Sequence, residues 1–185
     1  MKPTIHTLTK DGRALILRPA IGGDAKAIID YVNAIDTEST FLAREPGEFE
    51  VGVREEQALL TKWYDDPRSL YLVAQVDGQI VGACACIALS GRKRYLHRAS
   101  VSLGVRKPFW GLGIGRSLMQ SVLNWADGSS LEQVELEVDE TNINARRLYE
   151  SVGFKEQGRI LRERKMTDGT YRDAICMVYL AKKGD

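Results

Sequence analysis

The sequence predicts a mixed α+β domain, and three observations carry that prediction. Short apolar stretches with period-two alternation recur between segments whose apolar residues have helical spacing. Asp77-Gly78 joins two of the predicted strands and is the strongest short hairpin signal in the chain. A glycine-rich turn at 111–115 follows a predicted strand and precedes a predicted helix. The 185 residues have the size of one domain, so we expect residues 1–185 to fold as a single unit.

The N-terminal half is predicted to contribute a strand, two helices and a hairpin. The first strand ends at Pro19, and Asp24 is a plausible N-cap for the helix that follows. An acidic, irregular stretch at 37–52 separates the two helices. The predicted elements are a strand at 14–18, helices at 24–35 and 54–64, and strands at 70–76 and 80–89.

The C-terminal half is predicted to alternate strands and helices before it closes with a second hairpin. Pro108 ends the strand before the glycine turn, and Gly153 stops the last helix at its C′ position. Thr167-Asp168-Gly169 forms the turn of the final hairpin. The predicted elements are strands at 99–105 and 134–138, helices at 117–125 and 142–152, and paired strands at 154–165 and 174–180.

Composition restricts the kind of partner and the compartment that we expect. With 26 basic and 25 acidic residues the net charge is +1, which predicts neither nucleic acid nor an anionic membrane as a partner. Three cysteines and no signal-peptide pattern favour a reduced, cytoplasmic setting. Cys84 and Cys86 are expected to be small core residues, and no metal site is predicted.

The segment 103–116, LGVRKPFWGLGIGR, is typical of a phosphate cradle. A strand, a glycine turn and a helix leave backbone N–H groups bare at the positive end of the helix dipole. The segment is not a P-loop, because Arg116 and Ser117 follow Gly115 where Lys and Ser or Thr are required. It is not the dinucleotide fingerprint either, because Arg116 occupies the slot of the third glycine.

Two signatures make the chain resemble the GNAT superfamily of N-acetyltransferases over about residues 14–180. Positions 110–115 are similar to the motif Q/R-x-x-G-x-G/A, with Trp110 in place of the first polar residue. Positions 142–154 match N-x-x-A-x-x-L-Y-x-x-x-G-F. The resemblance implies the GNAT fold, a mixed and largely antiparallel sheet that is flanked by helices and splayed at the acyl-CoA site. The final hairpin resembles the branch that acetylates polyamines and ribosomal-protein N-termini.

By that resemblance the acetyl-CoA co-substrate lies between two splayed strands. Its pantetheine arm is expected along Leu103, Gly104 and Val105, with Asn142 as a hydrogen-bonding partner. Tyr149 is expected to donate to the departing sulfur. The pyrophosphate is expected on the N–H groups of Gly111, Leu112, Gly113, Ile114, Gly115 and Arg116.

The general base and the acceptor stay open at this stage. His97, Glu137 and Glu38 are the alternatives for removing the amine proton, and transfer through water alone is a fourth. Glu38 also begins a series of carboxylates that would suit a cationic amine.

The leading hypothesis is an acetyl-CoA-dependent N-acetyltransferase acting on a primary amine of a small molecule. The alternatives are a protein N-terminal acetyltransferase and a non-catalytic acyl-CoA sensor. The resemblance leaves a homodimer open.

Overall fold

The computed structural model describes residues 2–182 as an eight-stranded sheet with helices on both faces. The strands are β1 Ile5–Leu8, β2 Ala14–Pro19, β3 Leu70–Val76, β4 Gln79–Ala88, β5 Arg98–Val105, β6 Gln133–Asp139, β7 Lys155–Lys165 and β8 Tyr171–Leu180. The helices are α1 Ala25–Glu38, α2 Val53–Asp65, α3 Ile114–Asp127 and α4 Ile143–Ser151.

The sheet is mixed and largely antiparallel, as predicted. Its strand order is β1-β2-β3-β4-β5-β6-β8-β7, and β5 with β6 is the parallel pair in this series. These two strands pair only where Arg98–Ser100 lies beside Gln133–Glu135. The rest of β5 and β6 diverges, which confirms the predicted splay.

Two hydrophobic clusters cover the opposite faces of the sheet. Buried residues of α3 and α4, including Leu118, Leu123 and Tyr149, pack on one face. Buried residues of α1 and α2, including Ile28 and Leu60, pack on the other face. None of the helices in residues 2–182 is both long and apolar enough to cross a bilayer.

The two turns predicted from glycine positions have the expected backbone. Asp77 and Gly78 have φ values of 51° and 78°, which is the left-handed geometry that a tight hairpin turn demands. Gly153 has a φ of 105° directly after α4, so it ends that helix as the sequence predicted.

The structure differs from the sequence prediction mainly near the N-terminus. β1 was not predicted, because its four residues alternate too briefly to stand out from their surroundings. Asp24 precedes α1 but makes no side-chain cap to it. Its carboxylate instead binds both terminal nitrogens of Arg18 at 2.7 Å.

Candidate active site

β5 presents alternate backbone groups to the gap that opens beside β6. Hydrogen bonds from Leu89 N–H to Arg98 C=O (3.2 Å) and from Arg106 N–H to Val81 C=O (2.8 Å) fix the alternation. The even-numbered residues of β5 therefore bond to β4. Leu103 and Val105 turn their N–H and C=O groups the other way, into the gap.

Gly104 lines the cleft, but its backbone groups point away from the gap. Its backbone groups face Ala83 on β4 rather than the gap. A Cβ on Gly104 would lie 2.6 Å from the Tyr31 hydroxyl oxygen and 3.0 Å from Ile35 Cδ1. The packing of α1 therefore favours a glycine here, whereas the sequence analysis placed the pantetheine arm on this backbone.

The glycine turn exposes the first amides of α3. Gly113 is the N-cap, with a φ of 87° in the left-handed region and no side-chain cap. The first helical hydrogen bond joins Ser117 N–H to Gly113 C=O at 3.0 Å, so the N–H groups of residues 114–116 precede the helical ladder. No acidic residue lies in the first turn of α3. The arrangement suits an anion.

One cleft of about 650 Å³ joins the gap to this helix terminus. Its lining brings together most of the predicted site residues, namely Leu103, Gly104, Val105, Gly111, Gly113, Ile114, Gly115, Arg116, Glu137, Asn142 and Tyr149.

Tyr149 lies deep in this cleft, with 8% of its surface exposed. Its ring packs at 5.8 Å from that of Phe154. Burial raises the pKa of the phenol well above its ordinary value, so the hydroxyl keeps its proton at neutral pH. Because no residue from 2 to 182 forms a hydrogen bond with this hydroxyl, it can donate to a ligand.

Glu137 lies on β6 and Asn142 directly precedes α4, and both line the cleft. Asn142 is the N-cap of α4, and its Oδ1 accepts from Ala145 N–H at 3.2 Å. Its amide nitrogen remains available as a donor. Glu137 is exposed, and its carboxylate makes no ion pair or hydrogen bond within the described part of the chain.

Three predicted residues lie outside the lining of the cleft. His97 lines a separate depression with Arg68 and Lys93. The carboxylate of Glu38 accepts from Arg106 Nε at 2.8 Å and from the backbone N–H of residue 107 at 2.7 Å, so it joins α1 to the end of β5. Leu112 contributes a backbone carbonyl to the N-terminal hairpin instead of lining the cleft.

Trp110 has a role that sequence reasoning did not find. Its indole N–H donates to the Val105 carbonyl oxygen at 2.6 Å, and its ring lines the cleft. It therefore occupies the last acceptor that β5 directs into the gap. A tryptophan in the motif marks a departure, but the sequence gives no sign of its hydrogen-bond partner.

The buried carboxylate of Asp139 was also missed. Burial acts to raise its pKa, but hydrogen bonds from the side chain and backbone of Thr141 and from Arg172 keep that pKa below the ordinary value. Arg172 Nη1 lies 3.1 Å from the carboxylate and 3.3 Å from the Thr40 carbonyl oxygen. Arg164 Nη1 donates to the Phe41 carbonyl oxygen at 2.7 Å.

These arginines attach the β7–β8 hairpin to the segment 39–43. Ser39, Phe41, Leu42 and Ala43 all line the cleft on the side of α1. The segment therefore forms a wall of the cleft, held through the backbone carbonyls of Thr40 and Phe41. Only the Asp-x-Thr pattern at 139–141, which is typical of a local carboxylate turn, gave a sequence signal for this network.

A splayed parallel pair, an uncapped helix terminus and a buried tyrosine line one cleft, which is the arrangement expected of an acyl-CoA-dependent acyltransferase. Residues 35–154 match the Acetyltransferase (GNAT) family. The match covers more than half of the chain, and the protein belongs to that family of acetyltransferases.

Relatives and solved structures agree with this assignment. An uncharacterised N-acetyltransferase of Methanocaldococcus jannaschii is 30% identical over 126 residues, covering 68% of this chain and 72% of its own. N-acetyltransferase 8F1 of Rattus norvegicus is 34% identical over 125 residues, and the matched region spans 55% of its length. A GNAT-family acetyltransferase of Streptococcus pneumoniae superposes with a TM-score of 0.87 at 26% identity, covering 90% of this chain and 99% of its own.

Proposed function

We propose that this protein is an acetyl-CoA-dependent N-acetyltransferase that acts on a primary amine of a small molecule. The observation that carries the proposal is the gap between β5 and β6, which leads from the bare N-terminus of α3 to the Tyr149 hydroxyl. The same cleft continues past Glu137 to the wall at 39–43. It therefore has room for an acyl donor on one side and an amine on the other.

Residues of this chain fit the parts of acetyl-CoA by their chemistry. The amides at 114–116 would hold the pyrophosphate. Leu103 and Val105 would pair with the pantetheine arm through N–H groups that face the gap. The N–H groups of β5 also suit polarisation of an acyl carbonyl. A Salmonella typhimurium protein of the same fold was solved with its cofactor acetyl-CoA, at a TM-score of 0.79 and 17% identity.

Glu137 and Tyr149 both line the cleft, and neither side chain forms a hydrogen bond within residues 2–182, so the two can take complementary roles. Bound acetyl-CoA supplies the acetyl thioester. Glu137 would accept a proton from the incoming ammonium, directly or through water, since its carboxylate is unpaired. Tyr149 would donate its proton toward the sulfur that leaves, because burial keeps the phenol protonated. His97 and Glu38 receive no catalytic role in this proposal, because neither lines the cleft.

The wall on the side of α1 favours a small acceptor with limited charge. Its side chains include Ile35, Phe41 and Leu42, while Glu137 is the carboxylate that remains unpaired among the residues that line the described cleft. The series of carboxylates that begins at Glu38, which was expected to suit a cationic amine, does not line the cleft. Glu38 is bound to Arg106, and Glu45 and Glu48 lie outside the lining.

Thiol release from acetyl-CoA tests the proposal directly. The purified chain would be offered alkylamines, amino acids, aminoglycosides, spermidine and N-terminal peptides under one set of conditions. We expect release with at least one small amine, and at least a tenfold smaller kcat/KM for Glu137→Gln, about 1.4 kcal/mol on the barrier. Glu132→Gln is the matched control, because Glu132 lines the separate depression with His97. Acetyl-CoA binding without thiol release for any amine would contradict the proposal and favour a sensor.

A protein N-terminus is the second acceptor class. N-alpha-acetyltransferase 30 of Xenopus laevis is 26% identical over 157 residues, which covers 77% of this chain and 57% of that protein. Mycothiol acetyltransferase of Acidothermus cellulolyticus, whose name gives a small molecule, is 37% identical over 107 residues. Release with peptides alone would therefore move the assignment to the N-terminal class.

A further inference from the structure

The hairpin between β1 and β2 rests on the glycine turn and brings a lysine into the cleft. Lys10 N–H donates to the Leu112 carbonyl oxygen at 3.1 Å. A Cβ on Gly113 would lie 3.7 Å from both Cγ and Cε of Lys10, so the lysine stem crosses the N-cap of α3. Lys10 also lines the cleft, although it lies outside the region 35–154 that matches the family.

The turn that carries Lys10 is held in place by its own contacts. Asp11 accepts from Thr9 Oγ1 and, at 3.0 Å, from Arg13 Nε. The guanidinium of Arg13 lies 5.0 Å from the centroid of the Phe109 ring, and Phe109 lines the cleft. The carboxylate next to Lys10 in sequence is thus paired with Arg13. The hairpin is therefore attached to the loop through the Lys10 N–H and through Arg13.

The glycine turn carries few positive charges of its own, so a second cation would strengthen its binding of phosphate. Arg116 is the one cation within the loop 110–116. Arg164 lines the cleft too, but it is ion-paired with Glu163 at 2.7 Å. Lys10 has no ion pair within residues 2–182, so its charge is available to a ligand. The phosphate groups of CoA carry several negative charges, which the amides and Arg116 alone would balance only in part.

We propose that Lys10 binds a phosphate group of CoA, as a cation that the N-terminal hairpin supplies to the glycine turn. This inference rests on the proposed function, since it assigns a further residue to the same donor site. If the N-terminal hairpin binds the ligand, then CoA binding in the cleft also stabilises the position of β1 and β2.

Calorimetric titration of the full chain with CoA tests the assignment without relying on turnover. We expect Lys10→Met to raise the Kd for CoA roughly tenfold, with a smaller dependence of the Kd on salt, because one charge–phosphate contact is lost. Lys10→Arg should keep most of the affinity. Lys155→Met, which removes an exposed lysine from the edge strand β7, is the matched control and should bind like the wild type.

Dephospho-CoA distinguishes the two phosphate positions. A Lys10→Met penalty that persists with dephospho-CoA assigns Lys10 to the pyrophosphate, and a penalty that disappears assigns it to the 3′-phosphate. Equal Kd values for CoA in the wild type and Lys10→Met would overturn the inference. Absence of CoA binding by the wild type would instead overturn the proposed function. The melting temperature of each variant would confirm that it is folded.

Discussion

Replacing Gly104 with alanine separates two explanations for the glycine at this position. The added Cβ would meet the Tyr31 hydroxyl at 2.6 Å and Ile35 Cδ1 at 3.0 Å, and both neighbours are buried. Overpacking of this kind costs about 1–3 kcal/mol. The lower chain entropy of alanine in the unfolded state returns about 0.4–1 kcal/mol. The net cost is at most about 2.6 kcal/mol, so for a chain of this length we expect a Tm that is lower by up to roughly 10 °C.

The second substitution of the test removes the atom responsible for the clash. Tyr31→Phe deletes the hydroxyl, and the next Tyr31 atom, Cζ, is 3.8 Å from the added Cβ, an ordinary contact. Gly104→Ala combined with Tyr31→Phe should therefore be more stable than the sum of the two single changes predicts. Thermal and urea unfolding of all four proteins would give this coupling energy.

The affinity for acetyl-CoA distinguishes a packing role of Gly104 from a role in binding the cofactor. Because the backbone groups of Gly104 face β4, the double variant should bind acetyl-CoA as the wild type does. Strict additivity of the two stability changes, or a Gly104→Ala variant with an unchanged Tm, would refute the packing argument. A stable double variant that has lost acetyl-CoA would show that the cofactor arm needs the glycine.

Three further substitutions examine the cleft. Tyr149→Phe should lower kcat about tenfold, or 1.4 kcal/mol on the barrier, with the Kd for acetyl-CoA unchanged; equal turnover would remove Tyr149 from catalysis. Gly113→Val should abolish CoA binding, because a β-branched residue strongly resists a φ of 87°. Gly113→Asn should retain binding. Binding of CoA by the valine variant would contradict the assignment of the glycine turn as a phosphate-binding site. Asp139→Asn should cost about 2 kcal/mol of unfolding free energy, less than a fully buried pair because Arg172 is partly exposed. Since the folded pKa of Asp139 is lowered, this contribution is present above the unfolded pKa of about 4 and is lost as pH falls through the folded pKa. An Asp139→Asn deficit that stays constant below pH 4 would contradict the reasoning.

The sequence predicts most of the fold because its local signals agree with the tertiary structure. Asp77-Gly78 and Gly153 take the positive φ values that their positions imply, and both lie where strands or helices end. The parallel pair and its splay were predicted through family resemblance, because periodicity cannot show which strands become neighbours. β1 escaped notice because its stability comes from pairing with β2 rather than from its own pattern.

The sequence predicts which residues line the cleft where backbone geometry decides their placement, and it does not where long side chains decide it. The glycine turn needs only local conformation, so Gly113 could be identified from its neighbours in sequence. Glu38 is bound to Arg106, which is 68 residues away along the chain, and no local pattern indicates that pairing. Lys10 reaches Gly113 because the turn between β1 and β2 lies against the glycine turn, a contact between residues about 100 positions apart.

One side of the cleft is built by backbone groups and the other by a segment that side chains hold in place, and this difference bears on specificity. On the side of α3, backbone groups of β5 and of the glycine turn face the gap. Because these groups belong to the main chain, many different sequences could form this side of the cleft. On the side of α1, the wall at 39–43 depends on Arg164 and Arg172, which bind its carbonyls and pair with Asp139. Changes in the side chains of this wall would leave those carbonyl contacts intact. Under the proposed function, the acceptor side of the cleft can therefore diverge without disturbing the side proposed to hold the acyl donor.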